Sequence, residues 1–202
     1  MSTASTPKFK RIGNLLKTGT ALFTLAFAVF VPSAQAQQKL VPAQSEITFV
    51  SKQMGVPMEG RFKKFDAVIR FDPTKLATSS VEFTVDVGSA TVGSPDADSE
   101  LPKATWFNAM KFPQATFKSK SIKALGGGKF DVLGALTIKG LQHDVIVPVV
   151  FSQTTAATTA TGAFGIKRLT YKIGENEWAD TSMVADDVQV KFKIALTGVG
   201  KL

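Results

Sequence analysis

The chain has 202 residues, with 24 Lys and Arg against 16 Asp and Glu, one His and no Cys. That composition excludes zinc sites built from His and Cys, Cys–His nucleophiles, haem ligation by two protein side chains, disulfides and thiol tethers. The formal charge of +8 does not point to nucleic acid, because the lysines stand singly between hydrophobic residues instead of lining one stripe.

Residues 1–36 read as a signal peptide. Lys8, Lys10, Arg11 and Lys17 form a positive start without an acid, Thr20 to Val31 follow as an apolar run, and Pro32 with Ala34-Gln35-Ala36 supplies a small-residue cleavage site. The run is short for a membrane span, which needs about twenty apolar residues. Cleavage after Ala36 places the protein in the periplasm. It leaves residues 37–202, enough for one domain with a sizeable core, with 20 basic against 16 acidic groups once those four cations are removed.

From there period-two alternation dominates, which puts successive side chains on opposite faces of a strand. Ile47 to Val50 open the series. Phe65, Ala67, Ile69 and Phe71 alternate next, and Val81, Phe83, Val85 and Val87 share one face against Glu82, Thr84 and Asp86. The pattern then breaks at residues 94–112, where Ser94 can cap, Pro95 stands at a first helical position, and Asp96 and Asp98 suit the helix dipole. Between the breakers Pro102 and Pro113, Trp106, Phe107, Met110 and Phe112 crowd a segment that a surface loop would fill with polar residues. They read as a lid over a binding site or as an end plug. Alternation resumes over Ala115 to Ile122, turns at Gly126-Gly127-Gly128, and continues through Phe130, Val132, Gly134, Leu136 and Ile138 to a Lys139-Gly140 turn. Val145 to Phe151, a Thr/Ala-rich loop from Thr154 to Thr161, a strand over Ala163 to Tyr171, and Val188, Val190, Phe192, Ile194 and Leu196 complete the chain. About eight antiparallel strands with one short helical insertion predict an all-β fold, either a closed barrel or a sandwich.

Sixteen Phe against one Tyr and two Trp give large apolar area with few polar handles, suited to walls around a hydrocarbon or to a solid core. On alternation alone the wall residues are Phe83, Val85, Phe107, Phe112, Phe117, Phe164, Ile166, Val190 and Phe192, with Trp106 and Trp178 near an end. Arg168 alternates with Phe164 and Ile166, so it needs either an anionic head group or a buried acid. His143 beside Asp144 reads as solvent-facing or as a polar contact at a rim. Asp186-Asp187 and Asp96 with Asp98 are too few oxygens for a calcium loop and read as capping groups. No metal site and no catalytic residue is predicted.

Ser45-Glu46-Ile47-Thr48-Phe49 with Gly60-Arg61-Phe62 and Phe65-Asp66-Ala67-Val68-Ile69-Arg70-Phe71-Asp72 is similar to the opening of the YceI-like protein family. Trp106-Phe107-Asn108 through Lys111-Phe112-Pro113-Gln114-Ala115-Thr116-Phe117-Lys118-Ser119, then Gly134-Ala135-Leu136-Thr137-Ile138-Lys139-Gly140, resembles its middle. Phe164-Gly165-Ile166-Lys167-Arg168-Leu169-Thr170-Tyr171 and Val184-Ala185-Asp186-Asp187-Val188 resemble its end. The resemblance covers residues 38 to 198, and departs from the family at Leu169-Thr170, where members commonly carry an acid. It implies a lipocalin-like extended antiparallel β-barrel that binds an isoprenoid chain, a polyprenyl quinone or polyprenyl phosphate, without catalysis. The expected partners are that lipid, a membrane surface or membrane protein met transiently, and a second copy as a homodimer; no cofactor other than bound lipid is expected. The alternative is a solid barrel acting as an interaction or stress-response protein of a membrane electron-transfer system. N-terminal sequencing of exported protein is expected to read from Gln37, and Met1 retained on membrane-bound material would overturn both the address and the domain boundary.

Overall fold

Period-two alternation folds into one antiparallel sheet in a computed structural model that describes residues 38–155 and 157–202, with Met1 and Ala4 besides. The expected signal peptide and the bond after Ala36 lie outside the described residues. In chain order the strands are β1 (Lys39–Leu40), β2 (Glu46–Gln53), β3 (Val56–Phe62), β4 (Phe65–Arg70), β5 (Ser80–Asp86), β6 (Ala90–Thr91), β7 (Gln114–Gly126), β8 (Lys129–Ile138), β9 (Leu141–Gln153), β10 (Thr158–Lys167) and β11 (Asp187–Thr197), with helix α1 (Pro95–Glu100) before β7. They pair in the order β4-β5-β7-β8-β9-β10-β11-β2-β3-β6, and β1 adds to β11. The sheet curls on itself, but its end strands β4 and β6 do not pair. The Gln38 amide, just ahead of β1, ties the end of β4 to β1, donating to the Phe71 carbonyl at 2.5 Å and accepting from the Phe71 N–H at 2.8 Å.

Three strands go beyond the eight expected from alternation, and each has a local reason. β1 and β6 are two residues long, and β3 carries Gly60 on the face of Val56, Met58 and Phe62, where an alternating strand would show an apolar side chain, and Pro57 on the other face. The loop expected over Thr154–Thr161 is shorter, because Thr158 is buried and already paired with Gln153 and Leu196. The strand expected over Ala163–Tyr171 ends at Lys167, and Arg168–Tyr171 form a 3-10 turn closed by Lys172 at φ 55°. Helix α1 starts on Pro95, yet the Ser94 side chain makes no cap bond; Asp98 instead accepts from the Thr91 hydroxyl and the Val92 N–H. The two expected hairpin turns stand between β7 and β8 and between β8 and β9. The second needs left-handed backbone at Lys139 (φ 53°) and Gly140 (φ 76°), a conformation that only glycine adopts without cost.

Inside the curl, large and small residues are matched across strands. Phe49 faces Gly60 and Phe192 faces Gly162 in register, while Phe117 lies across the diagonal from Gly134. In each pair the ring occupies the place a Cβ on the glycine would take. Laid flat on a neighbouring backbone, these rings thicken the wall without reaching across the interior. The wall residues settle into two buried clusters: one around Phe71, Phe130, Val149 and Leu196, the other around Val87, Leu101, Phe107, Leu136 and Tyr171.

Gly162 is the least forgiving of these glycines, because its added Cβ would meet the Pro148 carbonyl oxygen as well as the Phe192 ring. Gly165, three residues along the same strand, has open space at that position. Gly162→Ala is therefore expected to lose about 1–3 kcal/mol of stability in urea melts, whereas Gly165→Ala stays within about 0.5 kcal/mol. Equal melts would show that the ring-on-glycine packing is not tight.

Candidate functional site

The curled sheet encloses a cavity with about 220 Å³ of room for the centres of water-sized groups. Phe49, Phe62, Phe71, Phe83, Phe117, Phe151, Phe164 and Phe192 supply its aromatic wall, and Val81, Val85, Ile166, Val190, Ile194 and Leu196 fill between them. Among the lining residues only Ser51, Thr116 and Arg168 carry a hydroxyl or a charge, with the Trp106 indole the one other polar group. Many wall residues keep accessible surface although they stand on the inner face. Phe83, Val85, Phe117, Phe164, Ile166, Val190 and Phe192 are each half-buried and each line the cavity. In a filled barrel, inward side chains of this size would be buried against one another.

One end of the cavity is covered by two long connections, residues 92–113 and 168–186. The Gly174 and Glu175 N–H groups both donate to the Thr105 carbonyl, at 2.8 and 2.9 Å, and the Trp106 and Trp178 rings meet at 5.5 Å. Leu101 and Phe107 are buried and turn inward onto the cavity, Phe107 edge-on to Phe62 at 5.9 Å. Met110, expected with them in the apolar cover, is instead fully exposed, because Asn108 takes a left-handed conformation (φ 50°) and turns the chain outward before Lys111. The β8–β9 turn completes this cap. Its Lys139 amine is buried and donates to the Lys172 carbonyl at 2.6 Å and to Glu175 at 2.8 Å, an ion pair that holds the Glu175 carboxyl below the usual carboxylate range.

Arg168 is the central tie of the cap. Only 2% exposed, it donates from Nε to the Ala185 carbonyl at 3.1 Å, from one terminal nitrogen to Ile173 and Gly174 at 2.8 and 2.9 Å, and from the other to Trp178 and Val184 at 2.6 and 2.7 Å. A guanidinium has five N–H donors, and here main-chain carbonyls take all five. Burial pulls its pKa down and the Asp186 charge pulls it back. Neither partner expected from the sequence is what satisfies it: no carboxylate bridges it, and no donor is left over for an anionic head group. Asp186 accepts instead from the Leu169 N–H at 2.9 Å.

Of the predicted wall residues, Phe83, Val85, Trp106, Phe107, Phe117, Phe164, Ile166, Arg168, Val190 and Phe192 stand on the cavity. Phe112 and Trp178 do not. Phe112 packs under Gly140 outside the wall, and Trp178 backs Trp106 from the far side, offering its carbonyl to Arg168. His143 is exposed on β9, edge-on to the buried Tyr171 ring at 5.1 Å, and Asp144 pairs with Lys120 at 2.6 Å. Sequence reading missed Phe49 and Phe62, which the glycine opposite Phe49 could have flagged. It also missed Lys139, whose burial leaves no trace in the local pattern.

A family model described as YceI-like domain matches residues 38–196. Among curated proteins, the chain is 33% identical over 128 residues to Protein YceI of Salmonella arizonae, covering 61% of this chain and 66% of that one. It is 29% identical over 157 residues to a UPF0312 protein of Vibrio cholerae serotype O1, covering 73% and 83%. Among solved structures it resembles Burkholderia cenocepacia BcnA at 45% identity and a TM-score of 0.75, over 78% of this chain and 99% of that one. A polyisoprenoid binding domain from Saccharophagus degradans implicated in plant cell wall breakdown shares the fold at 16% identity and a TM-score of 0.63, over 79% and 97%.

The Arg168 geometry makes a structural role separable from a ligand contact. Lysine has three donors on a mobile stem and cannot meet five carbonyls fixed around a planar fork. Arg168→Lys is expected to lose about 3 kcal/mol or more in urea melts. A variant that keeps its stability and only loses bound lipid would return Arg168 to the ligand.

Proposed function

The chain belongs to the YceI-like domain family, and on that premise we propose that it binds a long-chain isoprenoid lipid, of the polyprenyl quinone or polyprenyl phosphate type, in its cavity. It carries or stores that lipid in the periplasm and catalyses no reaction on it. One observation carries the reading: large apolar side chains line the interior and yet remain half-buried, so the sheet encloses apolar surface that its own residues do not cover. Hydrocarbon placed there is stabilised by roughly 25 cal/mol for each Å² removed from water. A wall of Phe, Val, Ile and Leu offers no directional contact along its length, which suits a repetitive, branched, featureless tail. The likeness to a solved polyisoprenoid binding domain supports the same reading at the level of fold. The periplasmic address rests on the signal-peptide pattern of residues 1–36.

The solid-barrel alternative has no use for such a cavity.

Solvent extraction of protein purified from its native host, followed by mass spectrometry, is expected to release an isoprenoid in stoichiometric amount. Val190 stands between Phe49 and Phe164 on the wall, so Val190→Trp fills the lumen from its middle. Bound lipid should drop about tenfold in that variant, with melting within a few degrees of wild type because the added ring enters existing space. No lipid in the wild type, or an unchanged yield in Val190→Trp, would sink the proposal.

A further inference from the structure

The β8–β9 turn belongs to the cap, so antiparallel order puts the β4–β5, β7–β8 and β9–β10 connections at the opposite end of the sheet, where β1 pairs with the last residues of β11. Phe71, Phe130 and Phe151 close the interior there, Phe71 stacked on Phe151 at 4.7 Å and Phe130 edge-on to both. Outside these rings Lys39, Arg70, Lys75, Lys123 and Lys129 are all exposed. None of them takes part in an ion pair among the described residues, whose paired acids are Glu82, Glu100, Asp144, Glu175 and Asp187. The acids on this side are Asp72, which accepts from Thr74, and Asp131, which stands opposite Lys123 in register; one step inward Lys193 faces Glu46. The capped end is balanced by contrast. Lys103, Lys139 and Lys167 are paired, Arg168 is buried, and the exposed Lys52, Lys111 and Lys172 stand against Glu59, Asp96, Glu177 and Asp180. Positive charge without a counterpart at one end of the molecule turns that end toward an anionic surface before contact.

At the tip of the same end the β7–β8 turn holds an aliphatic side chain in water. Ala124 pairs with Phe130 and Gly126 with Lys129, so Leu125 is the extra residue of a β-bulge and has no partner across the ladder. It is 52% exposed. Gly126, Gly127 and Gly128 follow at φ 85°, 58° and 74°, and a Cβ on Gly126 or Gly127 would touch nothing, so the turn beyond the leucine is bare backbone. A turn tip in water is ordinarily polar. Here Lys123 and Lys129 flank the leucine, and Val150, also exposed, lies across from Lys129. A polyanion in water would satisfy the cations and leave Leu125 wet. A bilayer surface takes both, with the lysine heads at its phosphates and the leucine just beneath them. We infer that the end opposite the cap docks on an anionic lipid bilayer, with Leu125 as the inserted tip and Lys123, Lys129, Arg70, Lys75 and Lys39 on the head groups. The docking does not depend on what the cavity holds.

The test floats exported, delipidated protein with vesicles of phosphatidylcholine alone or with about one third phosphatidylglycerol. Binding to the anionic vesicles is expected to be at least about tenfold tighter, and to fall at least about fivefold when salt is raised from about 0.05 to about 0.3 M. Lys123→Glu with Lys129→Glu should weaken it about tenfold or more, whereas the same charge change at the other end, Lys52→Glu with Lys111→Glu, should leave it within about twofold. Leu125→Ser should weaken vesicle binding about fivefold and leave unchanged the binding to dextran sulfate, a polyanion without hydrocarbon. The chain has no Cys, so one polarity-sensitive dye can be placed through Leu125→Cys or Met110→Cys, and its emission should shift to the blue on anionic vesicles at position 125 and stay put at position 110. Every substituted side chain is exposed, so these variants keep the fold. Equal binding to both vesicles, equal losses from charge reversal at either end, or a dye at position 125 that does not respond would overturn the inference. If Leu125→Ser binds vesicles as well as wild type does, the end takes polyanions and bilayer docking is wrong. No arm of the test contains an isoprenoid, so its outcome is separate from that of the cavity reading.

Discussion

Five main-chain carbonyls converge on one buried guanidinium, and the rest of the site depends on that convergence. Ala185, Ile173, Gly174, Trp178 and Val184 belong to a connection of nearly twenty residues with no strand or long helix of its own. Such a segment would normally lie on the surface with its backbone in water. Arg168 gives it an internal set of partners and holds it across the end of the sheet. Gly174 is part of the same constraint, since it sits at φ 74° and a Cβ there would run into the guanidinium. With that segment fixed, Thr105 has two N–H groups to accept from, Trp106 has Trp178 behind it, and Lys139 has Glu175 to pair with. The cap is built outward from a single side chain.

A hollow sheet is a less stable solution than a filled one, because wall atoms facing empty space forfeit their dispersion contacts. The ring-on-glycine pairs offset part of that loss. A Phe lying on the backbone of the next strand gains contact along one whole face while its other face looks into the lumen, so the wall is well packed and the interior stays open. Phe49 on Gly60, Phe192 on Gly162 and Phe117 by Gly134 repeat this in different parts of the sheet. Had those glycines been alanines, the rings would have to stand inward, and the space that makes the site would close.

Much of the wall was legible in the sequence because alternation is a geometric consequence of the strand. Once Val81, Phe83 and Val85 alternate with Glu82 and Thr84, the inner face follows without any knowledge of neighbours. What alternation could not reveal lies in three kinds of place. β3 was hidden because Gly60 interrupts the apolar phase of Val56, Met58 and Phe62 and Pro57 sits on the other phase, and Gly60 is there for Phe49, eleven residues earlier. Phe112 and Trp178 belong to turns, where no periodicity assigns a direction, and they point away from the cavity. Arg168 was correctly singled out as a residue in need of partners, but its partners are carbonyls. Every residue has a carbonyl, so no sequence signature announces which five will be used.

The cap is also uneven in strength, and the unevenness bears on how a ligand enters. Its inner layer, residues 168–186, is braced from within by the charge-assisted bonds of Arg168, which are roughly twice as strong as neutral ones. Its outer layer, residues 101–112, is held to the inner one by two bonds to the Thr105 carbonyl and by contact between two indoles, and it buries Leu101 and Phe107 on the cavity. Lifting the outer layer breaks two neutral hydrogen bonds and exposes two side chains. Lifting the inner layer, within which all five Arg168 bonds close, also breaks the bonds from the Ala185 N–H to the Lys52 carbonyl and from the Met54 N–H to the Met183 carbonyl, and those from Lys139 to the Lys172 carbonyl and Glu175. Local opening follows the cheaper route, so movement at this end starts in the segment that carries Trp106 and leaves the guanidinium in place.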